Sequence, residues 1–209
     1  MEKISETLQK YIHMFIIGLT GSVATGKSTV ATMFKELGAK IIDADKIVHD
    51  LLKNNVTCKK EIACTFKNVL NEESNIDRKA LAQSVFNNIT KLRKLERIIH
   101  PRVRREINKQ LKRYKTRKIK VVVLDIPLLF EGKYHKITDS NVVVKATQEL
   151  QIKRVIKRLN ISKSEALQRI RTQMTIQDKI RLADHVIDNR GTITQTKKQV
   201  KHIFQNLCI

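Results

Sequence analysis

Aromatic residues make up only 4% of the 209 residues, and tryptophan is absent. A surface that stacks the bases of single-stranded nucleic acid needs such rings, so the chain is poorly supplied for that role. Proline occurs twice and glycine six times, and a chain this poor in glycine places it where the backbone needs it. Three cysteines, Cys58, Cys64 and Cys208, show no C-x-x-C spacing. An odd count without a framework reads as reduced thiols in a cytosolic setting. No apolar run is long enough to span a bilayer. Residues 1–13 carry both charge signs and no apolar stretch, which argues against a signal peptide. They read as a short N-terminal extension, or as sequence ahead of a start at Met14.

Acidic residues are outnumbered, 20 against 42 Lys and Arg, for a formal charge of +22. Such charge suits a polyanionic partner. The cations run along the whole chain among many Asn and Ile residues, which favours AT-rich coding as the source, with a smaller part of the charge expected to attract phosphorylated substrates. With 41% hydrophobic and 30% charged residues, the chain is globular and long enough for one compact domain with an inserted subdomain.

Half of the glycines, Gly18, Gly21 and Gly26, fall within IIGLTGSVATGKSTVATMF, residues 16–34. Residues 15–20 are an apolar run that reads as a buried strand. Residues 28–37 repeat apolar positions at helical spacing, and Gly38 stands where a helix C-terminus wants a left-handed residue. AKIIDAD is a second strand, so strand, helix and strand form a βαβ unit with a parallel sheet. A helix begins at about Asp45, residues 54–110 read as mostly helical, and caps are expected at 75–77. The run at 120–131, KVVVLDIPLLFE, is β-branched and is expected mid-sheet. Strands at 139–146 and around ADHVIDN, a basic amphipathic helix at 147–160, a capping box at Ser162 and Glu165, and a closing helix at 192–206 complete the reading.

Between that first strand and helix stands Gly21-Ser-Val-Ala-Thr-Gly26-Lys27-Ser28, a match to G-x-x-x-x-G-K-[ST]. Backbone N–H groups at a helix N-terminus cradle an anion there, and glycine lets phosphate approach. The expected nucleotide contacts are Gly21, Ala24, Thr25, Gly26, Lys27, Ser28 and Thr29. Lys27 would reach the β- and γ-phosphates and the Ser28 hydroxyl would ligate Mg²⁺. This motif names a nucleotide but no reaction.

GLTGSVATGKSTV, IIDADKIVHDLL, LERIIHPRVRREI, VVLDIPLLFE, QIKRVIKRLNISKSEALQRIRTQM and DKIRLADHVIDNRG together resemble, in order, the motifs of the dephospho-CoA kinase family. The resemblance covers about residues 14–205. It implies an α/β fold: a P-loop NTPase three-layer αβα core with a parallel sheet, a helical substrate-binding insertion at about 50–115 and a helical lid at about 148–180. It also implies transfer of the γ-phosphoryl group of ATP, with Mg²⁺, to the ribose 3′-hydroxyl of dephospho-CoA, giving CoA and ADP. A cytoplasmic enzyme, monomeric or weakly self-associating, with neither a nucleic-acid nor a membrane partner, is the expectation.

Residue by residue, Asp45 matches the acceptor of the hydroxyl proton; its alternative role is to cap the following helix. Thr20 lies at the floor of the site and Asp43 beside the substrate. His100 and Arg104 match the substrate-domain motif, with His100 alternatively a structural residue ending a helix before Pro101. Arg104 could fork onto a substrate phosphate. Asp125 stands where a Walker B acid would, facing either magnesium or the acceptor. Leu128 and Leu129 are either apolar substrate contacts or plain core. Arg154 is favoured over Arg158 as the lid arginine that stabilises the transferring phosphoryl group. Asn189 and Gly191 match an adenine-side turn. Ser22, Ala24 and Thr175 depart from the usual family pattern, at two glycines and a proline. A different small-molecule P-loop kinase, for nucleosides, nucleotides or shikimate, and a basic nucleic-acid-binding ATPase are the rival readings.

Overall fold

The computed structural model describes residues 14–85 and 88–207. The extension at 1–13 and Cys208 lie outside the described residues. Five strands form one sheet: β1 (Phe15–Gly21), β2 (Lys40–Asp43), β3 (Val121–Asp125), β4 (Ser140–Lys145) and β5 (His185–Asp188), in the order β2-β3-β1-β4-β5. β1 pairs in parallel with β3 on one side, Leu19 opposite Asp125, and with β4 on the other, Gly21 opposite Val144. β4 pairs in parallel with β5. The chain crosses from β1 to β2 on one side and from β3 to β4 on the other, which opens a crevice at the carboxyl end of β1, where sheets of this kind take their ligands.

The first helix, α1 (Lys27–Glu36), follows β1 directly and ends at Leu37, with Gly38 at φ 102°. α2 (Ala44–Asn54), α3 (Val56–Thr65), α4 (Arg78–Val85) and the long α5 (Ile89–Thr116) follow β2. α6 (Gln148–Leu159), α7 (Lys163–Arg171) and α8 (Ile176–Arg181) lie between β4 and β5, and α9 (Ile193–Leu207) closes the described chain. The chain divides into two compact units, residues 43–112 and the remainder.

In the sheet-bearing unit, alternate residues of each strand face the same layer. Ile17, Leu19, Val121, Val123, Val142, Val144 and Ile187 meet Val30 and Phe34 of α1 and Val200 and Ile203 of α9 in one buried core. Each fully buried aliphatic or aromatic side chain there contributes roughly 1.5–3 kcal/mol. Val122, Leu124 and Val143 point to the other face and are fully buried as well, so the inner strands are apolar on both sides, as a covered parallel sheet requires. β3 is an inner strand beside β1, but β1 is the central one, and β3 stops at Asp125. Pro127 ends the ladder because it has no N–H to donate, and residues 127–133 turn.

In the 43–112 unit, Asp43, Asn55 and Asp77 accept backbone N–H groups at the starts of α2, α3 and α4. α5 buries Ile98, Ile99, Val103 and Ile107 along one face. The alternative for His100, that a helix ends before Pro101, is overturned: α5 runs straight through it. The Arg102 guanidinium donates to the Ile98 carbonyl at 2.6 Å and to Glu61 Oε2 at 2.6 Å. That clasp, and the buried face on both sides of the proline, hold the helix across it.

Candidate active site

The turn between β1 and α1 is held by its own bonds. Ser22 O accepts both the Thr25 backbone N–H at 3.3 Å and the Thr25 hydroxyl at 3.0 Å. Thr25 is 1% exposed, so this hydroxyl braces the loop from inside. Gly26 sits at φ 93° as the N-cap of α1. A Cβ there would lie 2.0 Å from Asn189 Nδ2, so both the dihedral and the space demand glycine. The α1 N-terminus has no side-chain cap and no acidic residue in its first turn. Its positive pole and unused N–H groups therefore suit an anion. Ser28 and Thr29 are exposed there.

Lys27 pairs with Asp125 at the end of β3, with side-chain exposures of 13% and 5%. The register explains the meeting, since Asp125 lies level with Leu19, just ahead of the loop. Thr20 is fully buried and its hydroxyl donates to the Pro127 carbonyl at 2.9 Å. Arg154 of α6 donates to Ala24 O at 3.2 Å, so this arginine reaches the phosphate loop. Arg158, one turn on, is exposed on α6. Leu129 is fully buried against the sheet, whereas Leu128 is half-buried; only Leu128 keeps surface to offer a ligand.

Asn189 stands in the turn after β5. Its Nδ2 donates to Thr25 O at 2.8 Å, while Oδ1 accepts the Thr196 hydroxyl at 2.9 Å. Asn189 thus clasps the loop between β1 and α1. Asp188 before it is gripped by Arg190, at 2.8 and 2.9 Å from Nε, and Lys145 stands 3.5 Å away. The Arg190 hydrogen bonds, helped by the Lys145 charge, hold the Asp188 carboxyl below its ordinary value.

In the 43–112 unit, Asp43 ends β2 and caps α2, with Oδ1 accepting Lys46 N–H at 3.0 Å. Asp45 lies in the first turn of α2. Capping therefore belongs to Asp43, which separates the two carboxylates by role. Arg104 is exposed on α5 and lines a shallow groove with Arg105, Lys109 and Lys112. His100 is half-buried on the same helix. Among the described residues no group of three or more His, Cys, Asp or Glu could cage a metal ion, and no helix is long and apolar enough to cross a membrane.

Sequence reasoning passed over Lys179. It is fully buried on α8, 2.7 Å from Pro127 O and 3.1 Å from Glu131 Oε1. Burial pushes its pKa down, Glu131 pulls it back, and the Lys27 charge adds to the depression. One lysine among 42 basic residues on a six-residue helix gave no periodicity to mark it.

A parallel sheet, a phosphate loop feeding a helix and a Lys–Asp pair beneath it define a P-loop kinase. The same fold is seen in a shikimate kinase from Acinetobacter baumannii, at 17% identity and TM-score 0.51 over 95% of each chain. The dephospho-CoA kinase family model matches residues 15–195. A dephospho-CoA kinase of Carboxydothermus hydrogenoformans is 47% identical over 91% of this chain and 93% of its own. The structure of dephospho-CoA kinase from Campylobacter jejuni superposes with TM-score 0.68, at 32% identity over 92% of this chain and 96% of its own. The chain belongs to the dephospho-CoA kinase family, phosphotransferases with an alcohol group as acceptor.

Proposed function

We propose that this kinase transfers the γ-phosphoryl group of Mg·ATP to the ribose 3′-hydroxyl of dephospho-CoA in the cytoplasm. The reading is carried by the open N-terminus of α1 with the Lys27–Asp125 pair beneath it, in a chain of this family. The new bond joins the 3′-oxygen to the γ-phosphorus. The bond between that phosphorus and the β,γ-bridging oxygen breaks, and its electron pair leaves with ADP. The hydroxyl proton passes to Asp45.

The transition state of such a transfer is loose, so binding, orientation and charge stabilisation supply most of the catalysis. Gly21, Ala24, Thr25, Gly26 and Thr29 form the cradle, with backbone N–H groups as donors. Lys27 carries the charge to the β- and γ-phosphates. Arg154 stabilises the charge that spreads over the equatorial oxygens. Magnesium, when bound with the nucleotide, neutralises phosphate charge, and the exposed Ser28 hydroxyl suits it as a hard oxygen ligand. Asn189 acts on the nucleotide through the loop it clasps. Thr20, Asp43, His100, Arg104, Asp125 and Leu128 serve the acceptor, with Arg104 matched to a substrate phosphate. Segments of about 50–115 and 148–180 act as acceptor-binding insertion and lid.

A coupled ADP-release assay over dephospho-CoA, nucleosides, nucleotides and shikimate tests this. Turnover is expected with dephospho-CoA; turnover of another acceptor in its place would refute the reading. In Asp45→Asn, kcat is expected to fall about 10²-fold or more, with ATP affinity within about twofold of the parent. Near-normal turnover would remove Asp45 from the mechanism.

A further inference from the structure

Lys179 is a fully buried charged side chain that the proposed chemistry leaves unused. A buried ammonium is costly unless it is paired and hydrogen-bonded. Here it joins four segments. Its Nζ donates to Pro127 O, which also accepts the Thr20 hydroxyl from the end of β1. It pairs with Glu131 Oε1, and that same oxygen accepts the Met174 backbone N–H at 3.1 Å. Met174 lies in the junction between α7 and α8.

Apart from the Lys27–Asp125 pair, the described bonds of the phosphate loop run elsewhere. Ser22, Thr25, Arg154 and Asn189 hold it without Lys179 or Glu131. Lys179 therefore acts on the turn leaving β3, which it grips at Pro127 and Glu131. Leu128 lies between those grips, and Asp125 is two residues ahead of the first.

We infer that Lys179 and Glu131 are positioning residues: they tie the α7–α8 junction to the turn leaving β3 and so set Asp125 and Leu128 for the acceptor. The inference rests on the reading of that turn as acceptor-facing. Its signature is selective. The acceptor side loosens when the tie is cut, while ATP still meets an intact loop.

The test uses the full chain with Glu131→Gln and Lys179→Met, each checked for folding by circular dichroism, and steady-state kinetics in both substrates. Glu131→Gln keeps the shape and one oxygen acceptor. Its KM for dephospho-CoA is expected to rise about fivefold or more, with KM for ATP within about twofold. Lys179→Met is expected to add a fall in kcat of about tenfold or more, since small misplacements of reacting groups cost that much. If Lys179→Met does not fold, Glu131→Gln decides alone. Folded Glu131→Gln with all three constants within about twofold of the parent would overturn the inference, as would an equal rise in both KM values. A parent protein inactive on dephospho-CoA, seen before any variant is made, would instead strike the functional reading and the inference with it.

Discussion

Ala24 holds φ at 58° in the middle of the phosphate loop, where a Cβ crowds the backbone at a cost of roughly 1–2 kcal/mol. Its carbonyl accepts Arg154, so the conformation is held from outside the loop. Glycine would remove the strain but add about 0.5–1 kcal/mol of unfolded-chain entropy. Ala24→Gly is therefore expected to stabilise the protein by up to about 1 kcal/mol, or roughly 2–4 °C in a thermal melt. KM for ATP should stay within about twofold of the parent. A melt several degrees lower would mean that Ala24 makes a packing contribution larger than its strain.

At the level of elements, the turn from β5 to α9 owes its shape to Asp188. The carboxylate takes the Arg190 backbone N–H at 3.1 Å as well as its guanidinium, and Gln199 of α9 bonds the Asp188 backbone at both ends. The Asp188 pKa is lowered by folding, chiefly by the Arg190 hydrogen bonds. The unfolded chain thus binds more protons in acid, and the stability that Asp188 contributes is fully present above the ordinary aspartate value of about 4. It is lost as pH falls through the lower native value. Asp188→Asn should be less stable than the parent between pH 7 and 5, and the gap should close below about pH 4. Chemical denaturation across that range measures it; a gap independent of pH would show that only the shape of the side chain matters.

Elements that announce themselves by local chemistry were legible in the sequence. The βαβ start, the Gly38 terminator and the Ser162–Glu165 capping box all depend on neighbours a few residues away. Thr175 likewise caps α8. Pro101 misled because tertiary contacts, the buried face of α5 and the Arg102 clasp, outweigh the local bias of the residue before a proline. Lys27 and the loop were legible through spacing. The partners of the loop were not: Asn189 to Thr25 spans 164 positions, and Lys179 to Pro127 spans 52. Contacts of that kind leave no period or spacing to read.

For the whole molecule, an excess of positive charge bears on encounter with charged partners rather than on fold. Long-range attraction is screened beyond about 10 Å at 0.1 M salt. KM for dephospho-CoA should therefore rise with ionic strength, while added RNA or duplex DNA should change ATP turnover less than about twofold at physiological salt. Strong stimulation by nucleic acid would revive the reading of the charge as a polyanion surface. The clasp of Asn189 on the phosphate loop has a consequence in time. The motif is complete once residue 28 has left the ribosome, but the carboxamide that fills the space above Gly26 arrives more than 150 residues later. During synthesis the nascent chain thus carries the whole fingerprint without its brace. The loop gains this brace only when β5 has joined the sheet beside β4.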